Sequence, residues 1–157
     1  MNNTQRNILV CQTIADHKAD GLSLILSGRV DHCNVLQQLL KDNHDIDAHV
    51  LTGSLAARGR EEIYNQIKSG TVKHIIATIS LLKEGFDLPV LQSLFLAYPA
   101  RWKGSIVQMI GRILRPVKGK QYAMIIDFVD SQIGVLKNSA RARAGVYQAE
   151  KIERGYP

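Results

Sequence analysis

The chain has 157 residues, of which 45% are hydrophobic, and its formal net charge at pH 7 is +6. This length fits one domain with a sizeable core, and no apolar run is long enough to span a membrane. The charge is uneven: residues 1–100 hold 9 Lys and Arg against 10 Asp and Glu (net −1), whereas residues 101–157 hold 11 against 4 (net +7), which together give +6. The basic C-terminal third favours an anionic partner such as a nucleotide or nucleic acid, although solubility alone would also account for it.

The two cysteines, Cys11 and Cys33, occur without a CxxC pair or a matching pair of histidines. This spacing argues against a metal site and against a disulfide framework. We therefore expect two small apolar core residues in a cytoplasmic protein, with no metal ligands. No signal peptide is visible in the sequence.

Helical and strand-like patterns alternate along the chain. The predicted helices are 4–19, closed by Gly21; 31–40, capped by Asp31; one that starts at Ser54, buries Ile63, Tyr64 and Ile67 and stops at residues 69–70; and a basic one from after Asp130 to about Glu150. The predicted strands are 22–26, 47–52, 73–78, 92–97 and 121–128. Such alternation predicts the α/β class with a mainly parallel sheet of about five to six strands.

Ligands of parallel sheets gather at the carboxyl ends of the strands. The loops at those ends are 27–29, 52–54, 78–89 and 97–104, and all are rich in Gly, Ser, Thr or Arg. In the third of these loops, Thr78 can offer its hydroxyl to a phosphate or cap the next turn. Gly85 permits a positive φ, and Asp87 is either a turn cap or an acceptor for a ribose hydroxyl. We expect the functional site at this edge.

Residues 108–116 read QMIGRILRP and predict a helix between the last two strands, ended by Pro116. Arg112 and Arg115, three residues apart, share one helix face, and Gln108 lies on the same face. Gly111 leaves room for close approach of a backbone or a ligand. Two guanidinium forks on one face suit a polyphosphate, although a solvated basic helix face would show the same charge pattern.

Together these pieces resemble a known family. A strand followed by SGR, a strand followed by TG, then AT-x6-GFDLP and QxxGRxxRP are similar, in order and spacing, to motifs IV, V and VI of superfamily 2 helicases. The resemblance is to their second, C-terminal RecA-like domain, and it runs from about residue 22 to 130. The chain looks closest to the Rad25/Ssl2-type branch of phage and bacterial predicted helicases, which share a helix before the first strand, a segment like residues 102–104 and a closing Arg-rich helix.

This resemblance implies a RecA-like three-layer α/β/α sandwich. It makes residues 1–157 a single helicase C-terminal domain with a core at about 20–130, followed by a basic helical extension at 131–157. ATP would lie between two RecA-like domains, and this one would supply Arg112 and Arg115 as arginine fingers, with Arg115 the direct one. The implied cofactor-binding residues are Gly85, Asp87, Gln108 and Gly111.

The resemblance also implies binding of single-stranded or duplex nucleic acid through its phosphate backbone, without sequence readout. The residues that match backbone-gripping positions of the family are Ser27, Gly28, Arg29, Gly53 and Thr78. No membrane partner is implied.

The sequence contains no G-x-x-x-x-G-K-[ST] motif and no DEAD- or DEAH-like acidic pair, both of which a Mg²⁺–ATP site needs. We therefore expect this chain to bind ATP and Mg²⁺ only when paired with an N-terminal RecA-like domain, on the same or a separate chain, and not to hydrolyse ATP alone. It would be an excised half, a split-gene product or a remnant. The alternatives are a non-enzymatic nucleic-acid-binding module and an interaction domain that retains the fold.

Overall fold

The computed structural model describes residues 3–17, 21–53, 55–83, 91–99, 110–111, 123–130, 134–149 and 152. Its helices are α1 (Thr4–Asp16), α2 (Val30–His44), α3 (Ala57–Lys68), α4 (Ile79–Lys83) and α5 (Gly134–Ala149). Its strands are β1 (Leu22–Ser27), β2 (His49–Leu51), β3 (His74–Thr78), β4 (Leu91–Leu96) and β5 (Met124–Asp127). None of these described helices has the length and apolarity needed to cross a bilayer.

The five described strands form one sheet in the order β2-β3-β1-β4-β5, and every neighbouring pair is parallel. Parallel neighbours need crossover connections, and the helices that serve as crossovers cover both faces of the sheet. Helices α1 and α2 pack on one face, and α3 and α4 pack on the other. The predicted α/β fold with three layers and five to six mainly parallel strands is confirmed.

Alternating side chains of β1 divide the core into two clusters, as the two-residue period of a strand requires. Leu24 points into the cluster under α3 and α4, whereas Ile25 points into the cluster under α1 and α2. The second cluster contains Phe95 and both cysteines, all 0% exposed. The cysteines are free thiols, and burial raises the pKa of Cys11 to about 11. Their predicted role as apolar core residues is confirmed.

Several helix boundaries differ from the prediction. The first helix ends at Asp16, three residues early, and the backbone N–H of His17 donates to the carbonyl of Ile14. The second begins at Val30, so that Asp31 lies in its first turn and Arg29 occupies the cap position. An acidic side chain in the first turn still interacts favourably with the helix dipole.

The start of α3 was also predicted too early, because Ala56 rather than Ser54 precedes its first helical residue. Ser54 itself lies outside the described residues. The helix stops at residues 69–70 as expected, and Gly70 has φ +75°, a conformation that glycine adopts without the Cβ clash. Of the three predicted apolar contacts, Ile67 is buried, and Ile63 and Tyr64 are half-buried against the same cluster.

Candidate functional site

The carboxyl ends of the strands meet at one edge of the sheet. In the strand register, Ser27 pairs with Thr78, Leu51 with Ala77, and Leu96 with both Leu26 and Asp127. The loops after β2, β3, β1, β4 and β5 therefore follow one another along this edge in that order. The predicted site residues Ser27 and Thr78 end β1 and β3, and Gly28, Arg29 and Gly53 lie in the connections that follow β1 and β2.

The hydroxyl of Ser27 is the centre of the β1–α2 turn. It is buried, at 0% exposure, and accepts a hydrogen bond from the backbone N–H of Arg29 at 3.3 Å. It also lies 3.2 Å from the carbonyl oxygen of Arg29 and 2.8 Å from Nδ1 of His32. Gly28 and Arg29 are exposed. Ser27 thus shapes the turn from inside, and the groups that face solvent belong to the two residues after it.

His32 connects this turn to α1. Its Nε2 lies 3.0 Å from Oδ1 of Asn7, which is 4% exposed. Burial lowers the pKa of the His32 imidazole, and the positive charge of Arg6 lowers it further. In the neutral ring, Nε2–H donates to the Asn7 oxygen and Nδ1 accepts from the Ser27 hydroxyl. His32 is thus a structural residue that joins the β1–α2 turn to α1.

The β3–α4 connection supplies a second pair of hydroxyls. Thr78 is only 4% exposed, and its Oγ1 lies 2.9 Å from Oγ of Ser80, which is exposed. The segment 79–83 forms a short helix, where the sequence indicated a loop that starts at residue 78. Ser80 was not among the predicted site residues, and its position two residues beyond the strand-ending Thr78 brings the two hydroxyls together.

The turn after β2 is held by Arg60 of α3. Its Nη2 donates to the carbonyl of Gly53 at 3.0 Å, and its Nε donates to the carbonyl of Leu55 at 2.9 Å. Gly53 is exposed, whereas Thr52 beside it is 7% exposed. Because these two carbonyl oxygens accept hydrogen bonds from the guanidinium, the backbone of the turn repels an anion less strongly.

Arg6 of α1 ties together the ends of β4 and β5. Its Nη1 donates to the carbonyl of Ala97 at 2.6 Å, and its Nε donates to the Asp130 carboxylate at 2.9 and 3.1 Å. The two side chains are 12% and 21% exposed. These partners are 91 and 124 residues away in sequence, so no local sequence pattern could predict the contacts.

A second buried pair anchors α5 to β5. Nε of Arg143 donates to Oδ2 of Asp127 at 2.7 Å, and the hydroxyl of Tyr147 donates to the same oxygen at 2.9 Å. Arg143 is 1% exposed. Burial, together with the charge of Asp127, raises the pKa of Tyr147. The basic C-terminal helix α5 is therefore part of the packed domain, and the ion pair of its buried Arg143 with Asp127 attaches it to β5.

Five predicted nucleotide-site residues lie outside the described part of the chain: Gly85, Asp87, Gln108, Arg112 and Arg115. Gly111 is described, and a Cβ added to it would meet nothing within 4 Å. Ile110 beside it is 0% exposed and belongs to the cluster under α3 and α4. Ile110 therefore packs into the core, next to the glycine.

Carboxylates near the edge are already paired where the structure describes them. Asp127 faces Arg143, and Asp130 faces Arg6. In the described ranges, no three His, Cys, Asp or Glu side chains come together to hold a metal ion. Among the described residues, this edge therefore carries the hydroxyls of Thr78 and Ser80 and the exposed Arg29, while the two carboxylates just named are paired with arginines.

A parallel five-stranded sheet covered by helices on both faces is also the architecture of the C-terminal domain of the DEAD-box protein Dbp5, whose structure matches this chain with a TM-score of 0.75. The family model for the helicase conserved C-terminal domain matches residues 5–117, and the chain belongs to this family. The resemblance read from motifs IV, V and VI is confirmed.

Three relatives illustrate the similarity. The chain is 30% identical over 140 residues to IRC3 of Saccharomyces cerevisiae, covering 87% of this chain and 20% of IRC3. The crystal structure of UvsW of phage T4 matches with a TM-score of 0.72 at 19% identity, covering 94% of this chain and 33% of UvsW. S. cerevisiae Dbp5 bound to RNA and ADP BeF3 matches with a TM-score of 0.68 at 20% identity, covering 96% of this chain and 37% of Dbp5. The chain spans about a sixth to a quarter of the length of the curated relatives it matches.

Proposed function

We propose that this chain is the second RecA-like domain of an ATP-dependent nucleic-acid helicase or translocase. In this role it grips the phosphate backbone with the loops at its carboxyl edge and completes an ATP site that a first RecA-like domain begins. The observation that carries the proposal is the family match across residues 5–117, which includes both the strand-end loops and the 108–116 motif.

The arrangement of the β1 and β3 loops supports nucleic-acid binding. Ser27 and Thr78 stand opposite each other in the strand register, so the exposed Gly28 and Arg29 lie beside the Thr78–Ser80 hydroxyl pair. Among the described residues, the Arg29 guanidinium has no hydrogen bond or ion pair. Backbone N–H groups, hydroxyls and a guanidinium hold phosphates without reading bases. The Dbp5 structure with RNA shows that a protein of this fold takes such a ligand.

The nucleotide part of the proposal rests on sequence and family. Gly85, Asp87, Gln108 and Gly111 would face the nucleotide and the cleft between the domains, and Arg112 and Arg115 would face its phosphates. An arginine finger stabilises the charge of the transferring phosphoryl group and contributes about 10³–10⁵ in rate. Mg²⁺ and the phosphate-cradling loop would come from the first domain, consistent with the paired state of the carboxylates described at this edge.

Reconstitution with the first domain tests this function. ATP hydrolysis is measured for the chain alone, for a P-loop RecA-like domain of the same system alone, and for both together, each with and without single-stranded DNA or RNA. The proposal predicts turnover stimulated by nucleic acid only in the mixture or the fused protein. Salt-dependent strand binding by the chain, with no effect on turnover in the mixture, would instead identify a non-enzymatic binding module.

A further inference from the structure

Tyr98 follows β4 directly and lies beside the β1–α2 turn. Leu26 pairs with Leu96 in the parallel register, so the backbone segments after β1 and β4 leave the sheet side by side. Tyr98 therefore lies next to Gly28. A Cβ added to Gly28 would stand 2.7 Å from Cε2 of Tyr98 and 2.8 Å from its Cδ2 and Cζ. One side of the ring therefore rests on Gly28, at a distance that only glycine permits.

The remainder of the Tyr98 ring faces solvent. Tyr98 is 40% exposed, although the three residues before it, Phe95, Leu96 and Ala97, are buried. Its hydroxyl has no hydrogen-bond partner among the described residues. An aromatic ring held against a backbone, with an open surface and no internal task for its hydroxyl, has the form of a stacking platform.

The neighbours of the ring indicate what would stack on it. Gly28 and Arg29 are the exposed, phosphate-facing residues of the proposed backbone grip. Sites for single-stranded nucleic acid combine a positive, phosphate-binding groove with an aromatic side chain on which a base stacks. A nucleotide whose phosphate rests on the turn would bring its base toward the adjacent ring.

We propose that Tyr98 is a base-contacting residue, on which an unpaired base stacks while its phosphate is held at residues 28–29. This inference rests on the proposed function, and it adds a preference for unpaired strands over duplex. The ligand is single-stranded DNA or RNA of any sequence, because every base offers a π-face.

Matched oligonucleotides separate stacking from phosphate binding. Fluorescence anisotropy measures the affinity of the 157-residue chain for a labelled single strand and for a strand of equal length and phosphate number that is abasic throughout. Tyr98→Ala is expected to weaken binding of the first strand by about 5- to 150-fold and to leave the abasic strand unchanged. Tyr98→Phe keeps the ring and should remain near the wild type on both strands.

Two further variants act as controls. Arg29→Ala removes a phosphate contact, so it should weaken both strands and reduce the salt dependence. Gly28→Ala forces the ring away from the turn but also alters a residue of the proposed phosphate contact, so it should weaken both strands and weaken the base-containing strand more than the abasic one. Thermal denaturation of each variant checks that the fold is retained.

The possible failures are distinct. Equal affinities of wild type and Tyr98→Ala, or equal losses on both strands, would overturn the stacking role and leave the proposed function standing. If the wild type binds neither strand, the proposed backbone grip fails and the stacking role fails with it. A third outcome is that Tyr98→Ala lowers ATP turnover in the presence of the first domain but leaves strand affinity unchanged. This result would identify the ring as a contact between the domains and would refute base stacking.

Discussion

The buried ion pair between Arg143 and Asp127 offers a direct test of whether α5 is held to the domain by this contact. Arg143 is 1% exposed, and its Nε lies 2.7 Å from Oδ2 of Asp127, which is 13% exposed. Asp127→Ala removes the counter-ion of a guanidinium that cannot reach water without unpacking the helix. It also removes the acceptor of the Tyr147 hydroxyl.

The expected loss is large for one side chain. Removing one partner of a buried ion pair costs about 3–5 kcal/mol, because the remaining charge stays desolvated. For a chain of this size, about 2–4 °C of melting temperature is lost per kcal/mol, which gives about 6–20 °C. Replacing both partners should do less harm, so Asp127→Ala/Arg143→Met is expected to be more stable than Asp127→Ala alone.

Thermal and urea denaturation followed by circular dichroism measure this loss. Asp42→Ala is the matched control, because Asp42 is an exposed carboxylate whose hydrogen bonds within the described part of the chain come from Gln38 on the same helix. It should leave the melting temperature unchanged. A melting temperature of Asp127→Ala within about 2 °C of the wild type, the size of an ordinary surface effect, would refute the claim that the pair fixes α5.

Two further predictions concern pH and backbone conformation. Burial lowers the pKa of His32 below its ordinary 6.5, so the unfolded chain takes up protons more readily than the folded one; the free energy of unfolding should fall as pH drops below about 6.5, and His32→Gln should reduce that slope in urea titrations. Stability independent of pH in this range would contradict the assignment. Gly70→Ala should cost about 1 kcal/mol because its φ is +75°, whereas Gly145→Ala, inside a helix with open space around it, should gain about 0.5–1 kcal/mol. Equal signs for the two changes in thermal denaturation would contradict this reasoning.

The strands were predictable because a buried parallel strand is a short, nearly continuous apolar run. The LSLILS and HIIAT segments are such runs, and β1 and β3 occupy them. The order of strands and helices then fixed the class of fold, and the glycines, hydroxyls and arginines after each strand indicated the edge that carries the site. The family resemblance added the expected roles of these residues in binding nucleotide and nucleic acid.

Caps and short elements were less predictable, since they depend on contacts outside the local pattern. The start of α2 is set by the turn that Ser27 builds around Arg29, which moves Asp31 from the cap into the first turn. The five residues of α4 are too few for a helical period to show in the sequence.

The supporting contacts of the site could not be read from the sequence for a similar reason. Arg6 finds Asp130 at a separation of 124 residues, and Gly28 meets Tyr98 only because β1 and β4 are neighbours. Composition shows which side chains are available, but the sheet order decides which of them meet.

In the proposed function, the arginines of residues 108–116 complete the ATP site. The most direct measurement is nucleic-acid-stimulated ATP hydrolysis by the chain together with its first RecA-like domain, for the wild type, Arg115→Ala and the control Lys118→Ala. Each of the two variants removes one positive charge, so a difference between them cannot come from net charge. The account predicts that Arg115→Ala lowers turnover by about 10³–10⁵ while Lys118→Ala does not. Unchanged turnover in Arg115→Ala would contradict it.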